Sequence, residues 1–133
     1  MKKIHTPYAP TPGGHYSQAI IHNGLVYVAG QLPINPVTGE KITGSIEDQT
    51  EQVIKNVEAI LEAAGCGLEN IIKTTVYISD IQLWNRVNDV YARFFGNHKP
   101  ARAVVPVSTL HYGFQIEMEA IAAVESKGEI ENG

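Results

Sequence analysis

One arginine in this sequence precedes a run of residues without any polar side chain, and it is the first candidate for chemistry. Arg102 opens the segment that continues as residues 103–107, AVVPV. Its guanidinium is therefore either at the solvated end of a strand or inside a cleft. A charge buried in a cleft is costly unless it is paired, so the second case requires a carboxylate or an anionic ligand. The planar guanidinium matches a carboxylate in bidentate fashion, which makes a small acid the natural ligand.

Two glutamates near the end of the chain are candidates for orienting water. Gln115, Glu117 and Glu119 share one face of a strand by the period of two, and Ile121 and Ala123 continue that face as apolar positions. One interpretation is a solvated strand end followed by a covered stretch. The other is that Glu117 or Glu119 lines a cleft at a subunit boundary and holds a water molecule.

The remaining reactive side chains give weaker signals. Tyr16 follows Gly13-Gly14, and its phenol is able either to donate to a ligand or simply to pack. Cys66 follows a predicted helix end, has no neighbouring base and is interpreted as a small turn residue. No two histidines are four residues apart on a predicted helix, so we expect surface or loop roles and no metal site. The histidines are His5, His15, His22, His98 and His111.

Composition limits the classes of protein to which the chain belongs. Its 133 residues suffice for one domain, and 44% hydrophobic with 18% charged residues is typical of globular proteins. The net charge of −4 and the absence of a basic stripe make nucleic acid an unlikely ligand. No apolar run reaches the length of a membrane span or a signal peptide, and one cysteine forms no internal disulfide. These features favour a cytoplasmic location. The sequence lacks the Walker, HExxH, GxSxG and paired CxxC motifs.

Local patterns in the first half predict a hairpin and a helix. Proline and glycine are frequent in residues 1–14, which predicts an extended arm. Strands are predicted at 18–22 and 25–30, because Asn-Gly between them favours a type I′ turn. After a loop, Ser45 is positioned to cap a helix that begins at residue 46, and apolar residues then recur every three or four positions as far as a glycine at 65.

The second half repeats the alternation of strand and helix. Residues 71–79 are β-branched and aromatic, and Asp80 is expected to cap a second helix that ends at Gly96. Residues 101–107 and 114–124 then have strand character. We expect residues 125–133 to be a disordered tail and residues 1–124 to form a single domain. The predicted order is ββαβαβ, with the final region open to division into two strands.

This order predicts an α+β sandwich with one mixed sheet and two helices on one of its faces. Residues 25–29 and 103–107 are apolar on both of their alternating faces, so the second face of the sheet also needs a cover. Two helices cannot supply it. Another copy of the same chain is the most economical cover, because monomers seldom expose apolar patches of that size.

Several blocks of this sequence together resemble the Rid (reactive intermediate deaminase) family, also called the YjgF family. They agree in order and spacing across residues 14–124, and they read GGHYSQA, VAGQLPINPVTGE, NVEAILEAAGCGLENIIKTTVYISD, VNDVYARFF and KPARAVVPV…IEMEAIA. The resemblance implies a chorismate-mutase-like subunit. It also implies a homotrimer with a central barrel and ligand clefts between subunits.

The family's site residues carry over to five positions here. The arginine that binds the substrate carboxylate corresponds to Arg102, and the glutamate that positions the hydrolytic water corresponds to Glu117. The resemblance further assigns roles at the cleft to Tyr16, Gly30 and Asn88. The family's frequent cysteine is Val104 here, whose main chain is still able to contact the ligand. His15, Ala29 and the His111-Tyr112 turn also depart from the family pattern, which bears on substrate preference.

The resemblance implies hydrolytic deamination of 2-imino or enamine acids, such as 2-aminoacrylate and 2-iminopropanoate, to 2-oxo acids and ammonia. Such a reaction needs no cofactor, because the imine is already an activated electrophile. The alternative is a trimer without enzymatic activity that binds a small carboxylate as a sensor, chaperone or regulator. A nuclease or translation inhibitor is disfavoured by the acidic charge.

Overall fold

A computed structural model describes residues 1–124, which form one six-stranded sheet and two helices. The strands lie in the order β1-β2-β3-β6-β4-β5, and only the β4–β5 pair is parallel, so the sheet is mixed. The strands are β1 (Lys2–Ile4), β2 (Ala19–His22), β3 (Leu25–Gln31), β4 (Ile71–Ile78), β5 (Ala101–Pro106) and β6 (Ile116–Ala123), and the helices are α1 (Ile46–Ala63) and α2 (Trp84–Phe95).

The predicted hairpin is confirmed as β2 and β3. Its turn residues Asn23 and Gly24 have φ angles of 51° and 77°. A type I′ turn requires positive φ at both central positions, and asparagine and glycine tolerate this conformation best. The turn fixes the register of the pair, with His22 opposite Leu25.

The predicted first helix is confirmed as α1. The Ser45 hydroxyl accepts a hydrogen bond from the Asp48 N–H at 3.1 Å, and the chain leaves the helix through Gly65 at φ 88°. The apolar stripe is fully buried against the sheet, and each such side chain contributes about 1.5–3 kcal/mol. The stripe comprises Val53, Ile54, Val57, Ile60 and Leu61.

The second helix begins later than the position of its predicted cap. Asp80 accepts from the Gln82 N–H at 2.9 Å, but it caps one turn of 3₁₀ helix at Ile81–Leu83, which then leads into α2. The tighter turn places Leu83 in the core, where it is 9% exposed. Gly96, at φ 57°, ends the helix as predicted.

The N-terminal arm contains a strand that the sequence did not indicate. Lys2–Ile4 pairs with β2, and the rest of the arm is held by the buried side chain of Gln18. That amide accepts from the Thr6 N–H at 2.7 Å and donates to the carbonyls of Thr6, Ala9 and Pro10. One buried side chain thus satisfies backbone groups in a part of the arm that pairs with no strand.

The two faces of the sheet differ in their cover. Residues of β6 alternate strictly between buried and half-buried, and the buried set faces α1 and α2. The opposite face carries Glu117, Glu119 and Ile121, together with Tyr27 at 45% and Val105 at 37% exposure. Within residues 1–124 no element lies over this face, as the sequence predicted.

Nor does this part of the chain contain a helix of the length and apolarity that a bilayer crossing requires.

Candidate active site

Arg102 lies on the helix-covered face of the sheet, at its β5 edge. Its Cα is opposite that of Thr74 in β4, so both side chains project toward α2. The guanidinium carbon lies 4.7 Å from the centroid of the Tyr91 ring and 5.4 Å from that of the Trp84 ring. Such cation–π contacts hold an arginine in place without neutralising it.

The aromatic platform under Arg102 is itself fixed. The Tyr91 hydroxyl forms a 2.8 Å hydrogen bond with the Thr74 hydroxyl, and its ring stacks on Phe95 at 4.3 Å. Burial raises the pKa of the Tyr91 phenol, with smaller opposing effects from Thr74 and Arg102. The phenol therefore stays neutral and serves as a rigid support.

The groove beside Arg102 is lined by basic and neutral residues. It has a volume of about 410 Å³, and Asn88 and Lys99 lie on its walls. No aspartate or glutamate lines it, and Arg102 has no carboxylate partner among residues 1–124. The structure thus places Asn88 and Arg102 together in a groove whose charge suits an anion.

At Val104 the main chain, and not the side chain, is open to a ligand. The side chain packs against the core, beside the helices. The Val107 N–H donates to the Ile78 carbonyl of β4, and backbone groups alternate in direction along a strand. Hence the N–H and carbonyl of Val104 point away from β4. Because β5 is an edge strand, these groups are available to a ligand.

Glu117 lies on the uncovered face of the sheet. It is half-buried and receives no side-chain hydrogen bond from the described residues. Burial raises the pKa of its carboxyl above the ordinary 4.5, the charge of His111 lowers it, and Glu119 raises it further. A carboxyl with a raised pKa and a free lone pair is suited to take a proton from water.

Glu119 has a different environment, although it shares this face. Its carboxylate accepts a 2.5 Å hydrogen bond from the Tyr77 hydroxyl. That bond is the main cause of the raised pKa of Tyr77. Of the two glutamates that the sequence left open, Glu117 is therefore the one whose carboxyl remains free.

Gly30 makes room for the Glu117 carboxyl. Val28 pairs with Ala120 and Gln31 with Met118, so two residues of β3, one of them Gly30, bulge opposite a single residue of β6. A Cβ at Gly30 would overlap the Glu117 carboxyl group. Any side chain at this position would displace the Glu117 carboxyl from its present place.

Tyr16 and Gly30 line a second cavity, of about 260 Å³. The Tyr16 phenol is 54% exposed and accepts a 3.3 Å hydrogen bond from the Gly13 N–H, which leaves its own proton free. His111 and Tyr112 complete the wall next to Gly30. Through the contact of Gly30 with Glu117, the three predicted residues Tyr16, Gly30 and Glu117 form one group.

One protomer separates the predicted residues into two groups. Arg102, Asn88 and the Val104 main chain lie on one side of the sheet or at its edge, and the Glu117 group lies on the other. Thr74, opposite Arg102, and Tyr77, opposite Glu117, are three positions apart, and an odd separation reverses the face. One copy of the chain therefore does not bring the two groups together on one face of its sheet.

Sequence reasoning missed the residues that hold these groups. No pattern in the sequence singles out Tyr91 as a support for Arg102, and nothing local links Trp84 to Arg102, which is 18 positions away. Cys66 was interpreted as a small turn residue and His98 as a surface or loop residue, and their surroundings agree with these interpretations. Burial raises the pKa of the Cys66 thiol, and the His98 ring forms a 2.7 Å hydrogen bond with the Ile71 carbonyl. Residues 1–124 hold no cluster of three or more metal-ligating side chains.

Comparison with known proteins adds an independent finding. A family model described as endoribonuclease L-PSP matches residues 6–124. The chain is 52% identical to a RutC family protein of Pyrococcus horikoshii, covering 92% of this chain and 97% of that protein. It is 40% identical to the 2-iminobutanoate/2-iminopropanoate deaminase of Homo sapiens, covering 90% and 87%. A crystal structure of a Yersinia pestis protein of the conserved Rid protein family superposes with a TM-score of 0.90 at 47% identity, covering 92% and 98%.

Proposed function

This chain belongs to the Rid (YjgF) family, and from that premise we propose that it hydrolyses reactive 2-imino acids to 2-oxo acids and ammonia. The observation that carries the proposal is the Arg102 guanidinium, held by cation–π contacts with two aromatic rings beside a groove without acidic residues. The human relative with a deaminase name supports the same reaction.

The complete site is formed between two protomers of a cyclic homo-oligomer. One subunit supplies Arg102, Asn88 and the Val104 main chain, and its neighbour supplies Glu117, Gly30 and Tyr16. The uncovered faces of the sheets pack together around the axis, and a trimer is the assembly that we propose. Such packing also buries the apolar side chains that a lone protomer leaves exposed.

Binding begins at the carboxylate of the substrate. The Arg102 fork receives it in two parallel hydrogen bonds, and the amide of Asn88 lies in the same groove. The outward carbonyl of Val104 accepts a hydrogen bond from the imine N–H. These contacts fix the position of C2, so that attack by water becomes an intramolecular event within the complex.

Glu117 then assists the attack of water on C2. The water oxygen forms a bond to C2, its proton passes to the Glu117 carboxylate, and the π electrons of the C=N bond move to nitrogen. Glu117 returns the proton to that nitrogen, which gives a carbinolamine. Glu117 then takes the hydroxyl proton and passes it to the amino group, so that the C–N bond breaks, ammonia leaves and the carbonyl forms. The Tyr16 hydroxyl donates a hydrogen bond to the oxygen as it loses its proton. No redox step or cofactor is involved.

The test is a coupled assay with a pyridoxal-phosphate dehydratase that releases 2-aminoacrylate from serine. We expect the protein to accelerate the formation of oxo acid and ammonia, and Arg102→Ala to abolish the acceleration. Arg93→Ala is the matched control, because Arg93 is an exposed arginine outside the groove. Tight binding of small carboxylates without any acceleration would instead favour the sensor or regulator.

A further inference from the structure

Tyr112 is held in a backbone conformation that disfavours its side chain. Its φ and ψ angles are 58° and 17°, in the left-handed region, and the next residue, Gly113, has φ 75°. Asn23 is the other non-glycine residue with positive φ in residues 1–124, and its position in a hairpin turn explains it. Bulky residues rarely adopt this conformation, which is associated with functional sites.

The ring of Tyr112 is held by its neighbours, although it is 64% exposed. The buried ring of Phe114 meets it in a T-shaped contact, with centroids 5.8 Å apart. The Lys41 ammonium lies over the Tyr112 ring, 4.7 Å from the ring centroid. A large aromatic surface is thus held by two contacts while most of its area stays exposed.

This surface forms part of the cavity that contains Tyr16 and Gly30. Leu32 and Ile34 add apolar area to the same wall. Gly30 contacts the Glu117 carboxyl, so the cavity begins next to the group to which the proposed function assigns the attacking water. Two tyrosines and two aliphatic residues therefore line the space beside that carboxyl.

We propose that Tyr112 is a specificity residue that accommodates large planar apolar side chains, so that aromatic 2-imino acids are substrates of this protein. The inference rests on the proposed function, and it names the substrate class. An aromatic contact of this kind favours an aromatic over a short aliphatic side chain by roughly three- to tenfold, and the buried apolar area adds to this preference.

The experiment compares two imines made in place by an L-amino-acid oxidase, 2-imino-3-phenylpropanoate and 2-iminobutanoate. The wild-type protein is expected to hydrolyse both. Tyr112→Asn removes the ring but keeps a residue that tolerates the left-handed conformation. We expect it to lower the ratio of kcat/KM for the aromatic imine over that for the short imine by about tenfold. Tyr112→Phe should keep the wild-type ratio.

Tyr8→Asn is the matched control, because Tyr8 is 73% exposed and lies outside the cavity. An unchanged ratio in Tyr112→Asn, or a wild-type protein that hydrolyses only the short imine, overturns the specificity proposal and leaves the proposed function intact. Binding of 3-phenylpropanoate and butanoate by calorimetry is the second readout. If neither imine is hydrolysed, the proposed function fails. In that case a tenfold tighter binding of 3-phenylpropanoate than of butanoate, abolished by Tyr112→Asn, still supports the cavity as the aromatic site.

Discussion

Arg102 and Glu117 lie on opposite faces of the same sheet. Arg102 is opposite Thr74 of β4, and Glu117 is opposite Tyr77 of the same strand, three residues further on. Both residues belong to the proposed reaction. Their separation within one protomer is the basis of the first prediction.

Mixing two inactive variants should restore activity. Arg102→Ala and Glu117→Gln are each expected to be inactive alone, because each lacks one half of every site. When the two are unfolded together and reassembled in equal amounts, about a quarter of the sites pair an intact arginine with an intact glutamate. The measurement is imine hydrolysis by the mixture. Activity that stays at the level of the separate variants would mean that one protomer supplies both residues.

Arg102→Lys should be a poor replacement, although it keeps the positive charge. Lysine loses the planar fork and the guanidinium contacts with the rings of Trp84 and Tyr91, so kcat/KM is expected to fall about 30- to 100-fold. Stability should change little, because Arg102 makes no ion pair within residues 1–124. Steady-state kinetics and thermal unfolding measure the two effects, and a variant with nearly wild-type kcat/KM would contradict the bidentate role.

The activity should rise with pH through the raised pKa of Glu117. Burial raises this pKa above 4.5, and the base must be ionised, so the acidic limb of kcat/KM is expected to have its midpoint above that value. Glu117→Gln should remove both the limb and most of the rate. A limb that survives the substitution would assign the titration to another group.

The raised pKa of Glu117 also makes the stability of the protein depend on pH. Because the folded-state pKa is raised, the contribution of Glu117 to the free energy of unfolding is fully present below pH 4.5 and is lost as pH rises through the folded-state value. Glu117→Gln, which stays neutral, should therefore be more stable than wild type at neutral pH. The difference should disappear in acid. Thermal unfolding of both proteins from pH 3.5 to 8 tests whether the difference in stability grows with pH; an equal difference at every pH would contradict this assignment to Glu117.

Gly30→Ala should reduce activity without preventing folding. The new methyl group takes the space of the Glu117 carboxyl, which rotates away from its position, and a loss of about tenfold or more in kcat is expected. Gly44→Ala is the control, since a Cβ at Gly44 meets nothing within 4 Å. Equal kinetics in the two variants would show that the close approach of Gly30 is not needed for the reaction.

Asn56→Ala should loosen the loop that lines the Tyr16 cavity. The Asn56 amide donates to the carbonyls of Leu32 and Ile34 at 3.1 and 3.0 Å, and its side chain is buried. Leaving these carbonyls unpaired costs about 1–3 kcal/mol of stability. KM is expected to rise more than kcat falls. Denaturant unfolding and kinetics measure both, and an exposed amide, Asn97→Ala, is the control.

The local elements of this protein could be predicted from the sequence, because their causes are local. The Asn23-Gly24 turn, the Ser45 cap and the apolar period of α1 each depend on residues within a few positions of one another, and all three are confirmed. The shared face of Glu117 and Glu119 also follows from the period of a strand. The edge strand β1 was missed, because its partner β2 begins 15 residues beyond it.

Only the tertiary structure decided how the candidate residues are divided. The strand β6 lies between β3 and β4, and this order, together with the register of Arg102 beside Thr74, determines which face each side chain occupies. A shift of one residue in that register would turn Arg102 to the face of Glu117, and no local pattern fixes a pairing between strands this far apart in the chain. The sequence thus predicted which residues belong to the proposed site, and long-range pairing decided that one copy of the chain divides them between the two faces of its sheet.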